Sequence, residues 1–291
     1  MNYNRAFAIG LSLNLGFVVL ESIYGFAANS LALLADAGHN FSDVVGLVLA
    51  WTAAWLSKRR PSRYWTYGLG RTTIMASLIN AVVLLIVVGG IAWEAVLRLK
   101  HAEPVPGGMV MVVAAIGIVI NGVTAALFMS GSKDDLNIRG AFLHMAADAA
   151  VSLGVVIAAL IMIRTGWLWL DPAMSLAIVA VIAVGTWGLF RESLDLALDA
   201  VPAGIARETV AGFLESQAGV ASLHDLHIWP LSTTSVALTA HLVNPDGTVD
   251  DDRLHHISEA LHDKFGIDHA TFQVERGNGA ATCRLENVHS V

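Results

Sequence analysis

The sequence LLADAGHNFSDVVGLVLAW, residues 33–51, places His39 and Asp43 four positions apart inside an apolar stretch. A second apolar stretch, AFLHMAADAAVSLGVVIAAL at residues 141–160, repeats that spacing with His144 and Asp148. Residues four apart on a helix lie one turn apart on the same face. Two such helices can therefore bring two imidazoles and two carboxylates to one point, and ionisable groups at bilayer depth are costly enough to indicate a functional site.

The composition is that of a membrane protein. The chain has 291 residues, of which 55% are hydrophobic and 14% charged, and its mean hydropathy is +0.63. A helix needs about 20 apolar residues to cross the hydrocarbon core. Six segments are long enough, and we expect Asp171 to cap the sixth helix. The predicted spans are residues 6–27, 31–57, 72–97, 107–129, 140–164 and 168–195.

Charge is distributed unevenly along the chain. Residues 1–201 contain 12 basic and 12 acidic side chains, whereas residues 202–291 contain 5 basic and 12 acidic ones and eight of the eleven histidines. An acidic segment argues against nucleic acid as a partner and favours cations. Eight basic residues fall on the side of the two termini, which the positive-inside rule therefore places in the cytoplasm. They are Arg5, Lys58, Arg59, Arg60, Arg63, Arg71, Lys133 and Arg139.

The segment after the last span has the pattern of a small folded domain. Helical periodicity at residues 205–216 and 251–265 and strand-like runs at 222–231, 235–243 and 269–275 give the order α-β-β-α-β. We therefore expect a six-span transport domain over residues 1–201, a cytoplasmic α+β metal-binding domain over 202–277 and a C-terminal tail over 278–291. The single cysteine, Cys283, fits a reducing compartment.

The paired histidines and aspartates suit a borderline metal ion. Two imidazoles and two carboxylates form a tetrahedral ligand set for Zn²⁺, with Cd²⁺, Co²⁺ and Ni²⁺ as further candidates. Hard cations prefer all-oxygen shells, and copper(I) prefers thiolates. Asp36 shares the helical face of His39, and could line an access path or orient a ligand; a capping or packing role is equally open.

The same ligand set contains a means of releasing the metal. Imidazole titrates near neutral pH, so one nitrogen can hold either a metal ion or a proton. We therefore expect the site to exchange a metal ion for protons. In a bacterium with an inward proton gradient across its inner membrane, this exchange would drive export of the cation from the cytoplasm.

The chain resembles the cation diffusion facilitator family of divalent-metal transporters, in particular its bacterial zinc-exporter-like subgroup. The resemblance implies six transmembrane helices, a cytoplasmic ferredoxin-like domain, a homodimer in the lipid bilayer and metal/proton antiport by alternating access. It maps the transport site onto His39, Asp43, His144 and Asp148. It rests on the motifs SLALLADAGHNFSDVVGL, RYWTYGLGRTTIMASLIN, HMAADAAVSLGVVI, DPAMSLAIVAVI, LHDLHIWPL and GIDHATFQVE.

The resemblance also implies zinc ligands in the cytoplasmic domain. It places them near His224, His241, and Asp268 or His269 together with Glu275. We expect His227 to point away from His224, because strand residues alternate between faces. Cys283 could add a thiolate or remain a free surface thiol. Some family members bind metal through histidines after the second span, but residues 65–71, WTYGLGR, contain none.

Other classes of function make different demands on these residues. A membrane metal sensor without flux would use the same ligands. A haem-binding electron-transfer subunit would use His39 and His144, but the aspartate one turn from each histidine is poorly placed beside an apolar macrocycle. A zinc-dependent intramembrane hydrolase would need a general base and an open coordination position, and no HExxH-like motif is evident. The sequence therefore favours a secondary transporter over an enzyme, with zinc as substrate and no organic cofactor.

Overall fold

The computed structural model describes residues 3–101, 103–129, 136–277 and 283. Lys133, His289 and all of the predicted tail except Cys283 lie outside this range. The chain forms two compact units, one made of Met1–Leu49 and Ile79–Leu189, the other of Ala50–Leu78 and Phe190–Val291. Helices α2, α3 and α6 contribute residues to both units.

Six long helices account for the first two thirds of the chain. Within the described residues, four stretches are long and apolar enough to cross a membrane: Thr72–Lys100, Gly107–Leu127, Phe142–Thr165 and Leu170–Ala197. The helices are α1 (Tyr3–Ala27), α2 (Leu31–Ser57), α3 (Thr72–Lys100), α4 (Gly107–Met129), α5 (Leu136–Thr165) and α6 (Leu170–Ala197).

The second helix is as long as its neighbours but less apolar. It has 27 residues, matching the predicted 31–57, yet it does not reach the hydropathy of the four candidate spans. Asp36, His39, Asn40 and Asp43 interrupt its apolar run. Three of these residues, Asp36, His39 and Asp43, belong to the predicted site, so the site itself lowers the hydropathy of the helix.

The first unit is packed closely around α4. This helix lies against α1 and α5, and Gly117 is the point of closest approach. A Cβ atom at Gly117 would lie 2.6 Å from the ring of Phe17 in α1 and 2.9 Å from the Ser152 hydroxyl in α5. A larger residue there would force one of these side chains to shift, and small residues are common where membrane helices meet.

The beginning of α2 is fixed by a carboxylate from another helix. We expected Asp171 to cap α6, but its carboxylate accepts hydrogen bonds from the Ser30 hydroxyl and, at 2.8 Å, from the Leu31 backbone N–H. Asp171 is 3% exposed. A buried anion at this position stabilises the unpaired N–H groups and the positive end of the α2 dipole.

The C-terminal part of the second unit is an α/β domain with the predicted order of elements. Helix α7 (Arg207–Glu215) precedes strands β1 (Ser222–Pro230) and β2 (Val236–Val243), followed by α8 (Asp251–Phe265) and β3 (His269–Glu275). In the sheet order β1-β2-β3, β1 and β2 are antiparallel and β2 and β3 parallel. Both helices pack on the sheet through apolar side chains, chiefly Val210, Leu214, Ile257, Leu261, Leu238 and Leu242.

Replacing Asp171 with alanine should destabilise the membrane domain. The substitution leaves the Ser30 hydroxyl and the Leu31 N–H without their charged acceptor, and hydrogen bonds to charged groups contribute about 1.5–3 kcal/mol each. We expect a lower midpoint of thermal unfolding in detergent. Asp195→Ala, which removes an exposed aspartate from the same helix, should leave the midpoint unchanged. Equal midpoints for the two variants would contradict the capping role.

Candidate metal sites

Helices α2 and α5 bring their His-Asp pairs together within the first unit. The His144 Nε2 atom lies 3.1 Å from Asp43 Oδ2 on the other helix and 3.7 Å from Asp148 Oδ2 on its own. The His39 Nε2 atom lies 3.6 Å from Asp43 Oδ2 and 3.7 Å from Asp148 Oδ1. Both imidazoles thus turn the same ring nitrogen toward the two carboxylates. The four side chains surround one point.

The group can be described more closely by its donor atoms. One donor atom from each of His39, His144 and Asp148 lies within 4.8 Å of the other two. Asp43 lies outside this group of three, but its Oδ2 atom is 3.6 Å from His39 Nε2 and 3.1 Å from His144 Nε2. The two rings meet edge-on, with centroids 5.8 Å apart. Four nitrogen and oxygen donors at these separations need only small shifts to reach the 2.0–2.2 Å bonds of tetrahedral zinc.

Burial makes this arrangement expensive without a cation. The Asp148 side chain is 4% exposed, while that of His144 is 42% exposed. His39 Nδ1 and Asp148 Oδ2 are buried and form no hydrogen bond among the described residues, and Asp43 Oδ2 has the His144 Nε2 atom at 3.1 Å as its nearest partner in the cluster. Unsatisfied buried polar atoms cost about 1–3 kcal/mol each. A divalent cation would offset the carboxylate charges directly.

Asp36 is buried to the same extent as Asp148 but is not one of the four clustered side chains. It is 2% exposed and accepts a hydrogen bond from the Ser152 hydroxyl at 3.3 Å. Glu21 of α1, which is fully buried, lies against it. In this conformation Asp36 belongs to the interior between α1, α2 and α5.

A second cluster forms on the sheet of the C-terminal domain. His224 and His241 face each other across β1 and β2, and their ring centroids are 5.0 Å apart. Glu275, at the end of β3, places its carboxylate 2.8 Å from His241 Nδ1 and 3.6 Å from His224 Nε2. The ladder of three strands therefore brings together three residues that the sequence separates by up to 51 positions.

Glu275 is ionised in this setting. Burial acts to raise its pKa, but hydrogen bonds, of which the one from Cys283 contributes most, outweigh burial and lower the pKa of the carboxyl below its usual value. The carboxylate is therefore available as a metal ligand at neutral pH.

Asp268 and His269 do not join this cluster, which corrects the expected grouping with Glu275. Asp268 accepts a hydrogen bond from the Val236 N–H, and the His269 ring packs edge-on against Tyr67 at 5.6 Å. They lie at the opposite end of β3 from Glu275. Six residues of strand separate His269 and Glu275 by about 20 Å, too far to share one ion.

Asp225 has a position that residue spacing does not indicate. The pairing of β1 with β2 shifts between His224 and His227, and Asp225 in that bulge has a φ of 52°. Its carboxylate lies 3.5 Å from His241 Nε2 and 2.9 Å from His227 Nε2. Asp225 can thus orient the His241 ring from behind, as carboxylates often do for metal-binding histidines. A prediction based on strict alternation of strand faces does not detect a bulge.

Comparison with known proteins identifies the family. The cation efflux transmembrane domain matches residues 7–196, and the cytoplasmic domain of cation efflux proteins matches residues 202–277. The chain belongs to the cation efflux family. It is therefore a membrane transporter of divalent metal cations, in agreement with the resemblance seen in its motifs.

Bacterial relatives cover nearly the whole chain. The cadmium, cobalt and zinc/H(+)-K(+) antiporter of Bacillus velezensis is 35% identical over 265 residues, 89% of this chain and 84% of the relative. The metal cation efflux system protein CzcD of Cupriavidus metallidurans is 36% identical over 273 residues, 93% and 86% of the two chains. The zinc transporter ZitB of Escherichia coli K12 is 34% identical over 276 residues, 94% and 88%.

Removing one charge from the membrane cluster should remove one bound metal ion. Asp148→Asn keeps the size of the side chain but loses its negative charge. Because even outer-shell changes cost about 10–100-fold in metal affinity, loss of a ligand should cost about 100-fold or more. Equilibrium dialysis of the purified full chain should find one zinc ion fewer per chain. Asp195→Asn should bind as much zinc as the unaltered protein, and equal stoichiometry in both variants would contradict the site.

Proposed function

We propose that this chain exports divalent cations, zinc first, from the cytoplasm in exchange for protons. The observation that carries the proposal is the convergence of His39, Asp43, His144 and Asp148 on one point between two helices. Two imidazoles and two carboxylates suit Zn²⁺, and Cd²⁺, Co²⁺ and Ni²⁺ follow from the same ligand chemistry. The names of the relatives, which include zinc, cadmium and cobalt transporters, support this choice of ions.

Proton exchange is supported by the contacts within the cluster. Each imidazole Nε2 lies within 3.7 Å of two carboxylate oxygens, so a protonated ring would be held by the same carboxylates that bind the metal. Metal and protons therefore compete for the same atoms. A site open to the more acidic side would take up protons and release metal. A site open to the cytoplasm would do the reverse.

The distribution of basic residues and the family membership support a topology for the chain in the membrane. We infer six transmembrane helices in residues 1–201, with both termini and the domain of residues 202–277 in the cytoplasm, in the inner membrane of a bacterium. The resemblance to cation diffusion facilitators implies a homodimer. We also infer that His224, His241 and Glu275 bind a second zinc ion, which would reduce the repulsion within a domain rich in carboxylates.

The haem-binding alternative is disfavoured by the same distances. Asp43 Oδ2 lies 3.6 Å from the Nε2 atom of His39 and 3.1 Å from that of His144. A haem ligated by both histidines would need its iron and macrocycle in the space that this carboxylate enters. A metal ion without a macrocycle requires no such displacement.

Reconstituted transport provides the test. In proteoliposomes, zinc movement should be driven by an opposing proton gradient and should fall to background in Asp43→Ala and Asp148→Ala. His39→Ala and His144→Ala should behave similarly. The matched control is His255→Ala, since His255 is 71% exposed on α8 and belongs to neither cluster.

Each outcome bears on a different part of the proposal. Transport that persists in both aspartate variants would refute the site. Transport that does not respond to the proton gradient would refute the coupling. Zinc binding without movement in the unaltered protein would show a sensor instead of a transporter.

A further inference from the structure

Two carboxyl groups outside the membrane metal cluster meet inside the first unit. Glu21 of α1 is fully buried, Asp36 of α2 is 2% exposed, and their carboxyl groups are in contact. Asp36 accepts a hydrogen bond from the Ser152 hydroxyl of α5 at 3.3 Å, but neither Glu21 oxygen accepts one from a described residue. Two carboxylates buried together in a helix bundle are costly unless something neutralises their charge.

The packing of α1 against α2 produces this contact. A Cβ atom at Gly25 of α1 would lie 2.9 Å from the Leu34 side chain and 3.4 Å from that of Leu33, so the two helices touch close to the turn that joins them. Glu21 is one turn back along α1 from this contact, and Asp36 is about one turn forward along α2. The meeting of the two carboxyl groups therefore follows from the helix hairpin.

The pair has no positively charged partner among the described residues. The salt bridges of the first unit involve the two membrane histidines and Arg98, and none of them includes Glu21 or Asp36. Asn40 lies beside Glu21 and is fully buried, yet neither atom of its amide has a hydrogen-bond partner in the described part of the chain. The other polar or titratable groups near the pair are His39 in α2 and Asp148 and Ser152 in α5.

We propose that Glu21 and Asp36 share one proton and form a proton-binding site separate from the metal cluster. Ionised carboxylates only accept hydrogen bonds, so their contact is stabilising when one of them is protonated and donates to the other. Two carboxylates at such close range do not both ionise, and they titrate as one unit. The Asn40 amide can donate a hydrogen bond to the charge that remains.

The position of the pair suits a proton that moves when metal moves. Asp36 precedes His39 by three residues in α2, and Ser152, which donates to Asp36, follows Asp148 by four residues in α5. Each is thus one helical turn from a member of the metal cluster. A movement of α2 and α5 that opens the cluster would also change the surroundings of the shared proton. This role in exchange rests on the proposed function, whereas the shared proton itself does not.

Infrared spectroscopy can detect the shared proton directly. A protonated carboxylic acid has a carbonyl stretching band that an ionised carboxylate lacks, and the band shifts in heavy water. We expect this band at neutral pH in the purified full chain loaded with zinc, whose ligands are deprotonated. Glu21→Gln and Asp36→Asn should each remove the contribution of the pair, because the new amide donates to the remaining carboxylate. Glu192→Gln, the same change at an exposed position of α6, should leave the band unchanged.

A second measurement shows whether this proton moves with the metal. In proteoliposomes, Glu21→Gln should exchange one proton fewer per zinc ion than the unaltered protein, whereas Glu192→Gln should keep the original ratio. Equilibrium dialysis should find as many zinc ions bound to Glu21→Gln as to the unaltered protein, because Glu21 belongs to neither group of candidate ligands.

The outcomes separate the two proposals. Absence of the band in the unaltered protein, or its persistence in both Glu21→Gln and Asp36→Asn, would overturn the shared proton. Loss of the band in these variants with an unchanged ratio of protons to zinc would overturn its role in exchange. An unaltered protein that shows the band but no proton-driven zinc movement would contradict the proposed function and leave the shared proton supported.

Discussion

One constraint governs the rest of this molecule: carboxylates and titratable imidazoles lie close together inside an apolar helix bundle. A carboxylate transferred from water into hydrocarbon costs several kcal/mol even after relaxation. Asp43 and Asp148 can occupy their positions because each approaches both imidazoles at 3.1 to 3.7 Å. The same proximity leaves buried oxygen and nitrogen atoms unsatisfied, and a divalent cation can bind them. Under the proposed function, stability and metal binding place opposing demands on one group of atoms.

Other contacts in the first unit fix the positions of the clustered histidines and aspartates. Asp171 fixes where α2 begins, and Arg98 donates hydrogen bonds to the backbone and side-chain oxygens of Asn29 in the preceding turn. His39 lies eight residues beyond Leu31, about two turns into the helix. A shift of one residue at the start would rotate the histidine by about 100° and take it off the shared face. The close approach at Gly117 similarly determines how near α5 can come to its neighbours.

The two clusters use different secondary structure to solve the same geometric problem. In the membrane, a spacing of four residues within each helix brings one histidine and one aspartate together, and helix packing joins the pairs. In the C-terminal domain, each strand supplies one side chain of the cluster, and the ladder brings the three together. Backbone hydrogen bonds hold the second arrangement more rigidly, whereas helices can move past each other. The proposed transport function would use that freedom, because alternating access requires a site that opens to both sides.

Much of this could be predicted from the sequence because the signals are local. Hydropathy located α2 at the observed residues, and the order of strands and helices after residue 202 was correct. The spacing of His39 with Asp43 and of His144 with Asp148 was sufficient to propose a four-ligand site. Longer-range features were harder to predict. Asp171 was assigned to its own helix, since a sequence cannot show which of two nearby helix ends a carboxylate will cap.

The sequence alone determined the residue types of the candidate sites, the helical faces they share and the family, because these depend on residue identity and short spacing. The tertiary structure alone decided which residues meet across long separations. It excluded Asp268 and His269 from the cytoplasmic cluster, since a strand of fixed rise separates them from Glu275. It brought Asp225 behind His241 through a bulge, and Cys283 beside His241, 42 residues apart in the chain. Such contacts follow from strand register and from the path of the chain after β3, neither of which residue spacing specifies.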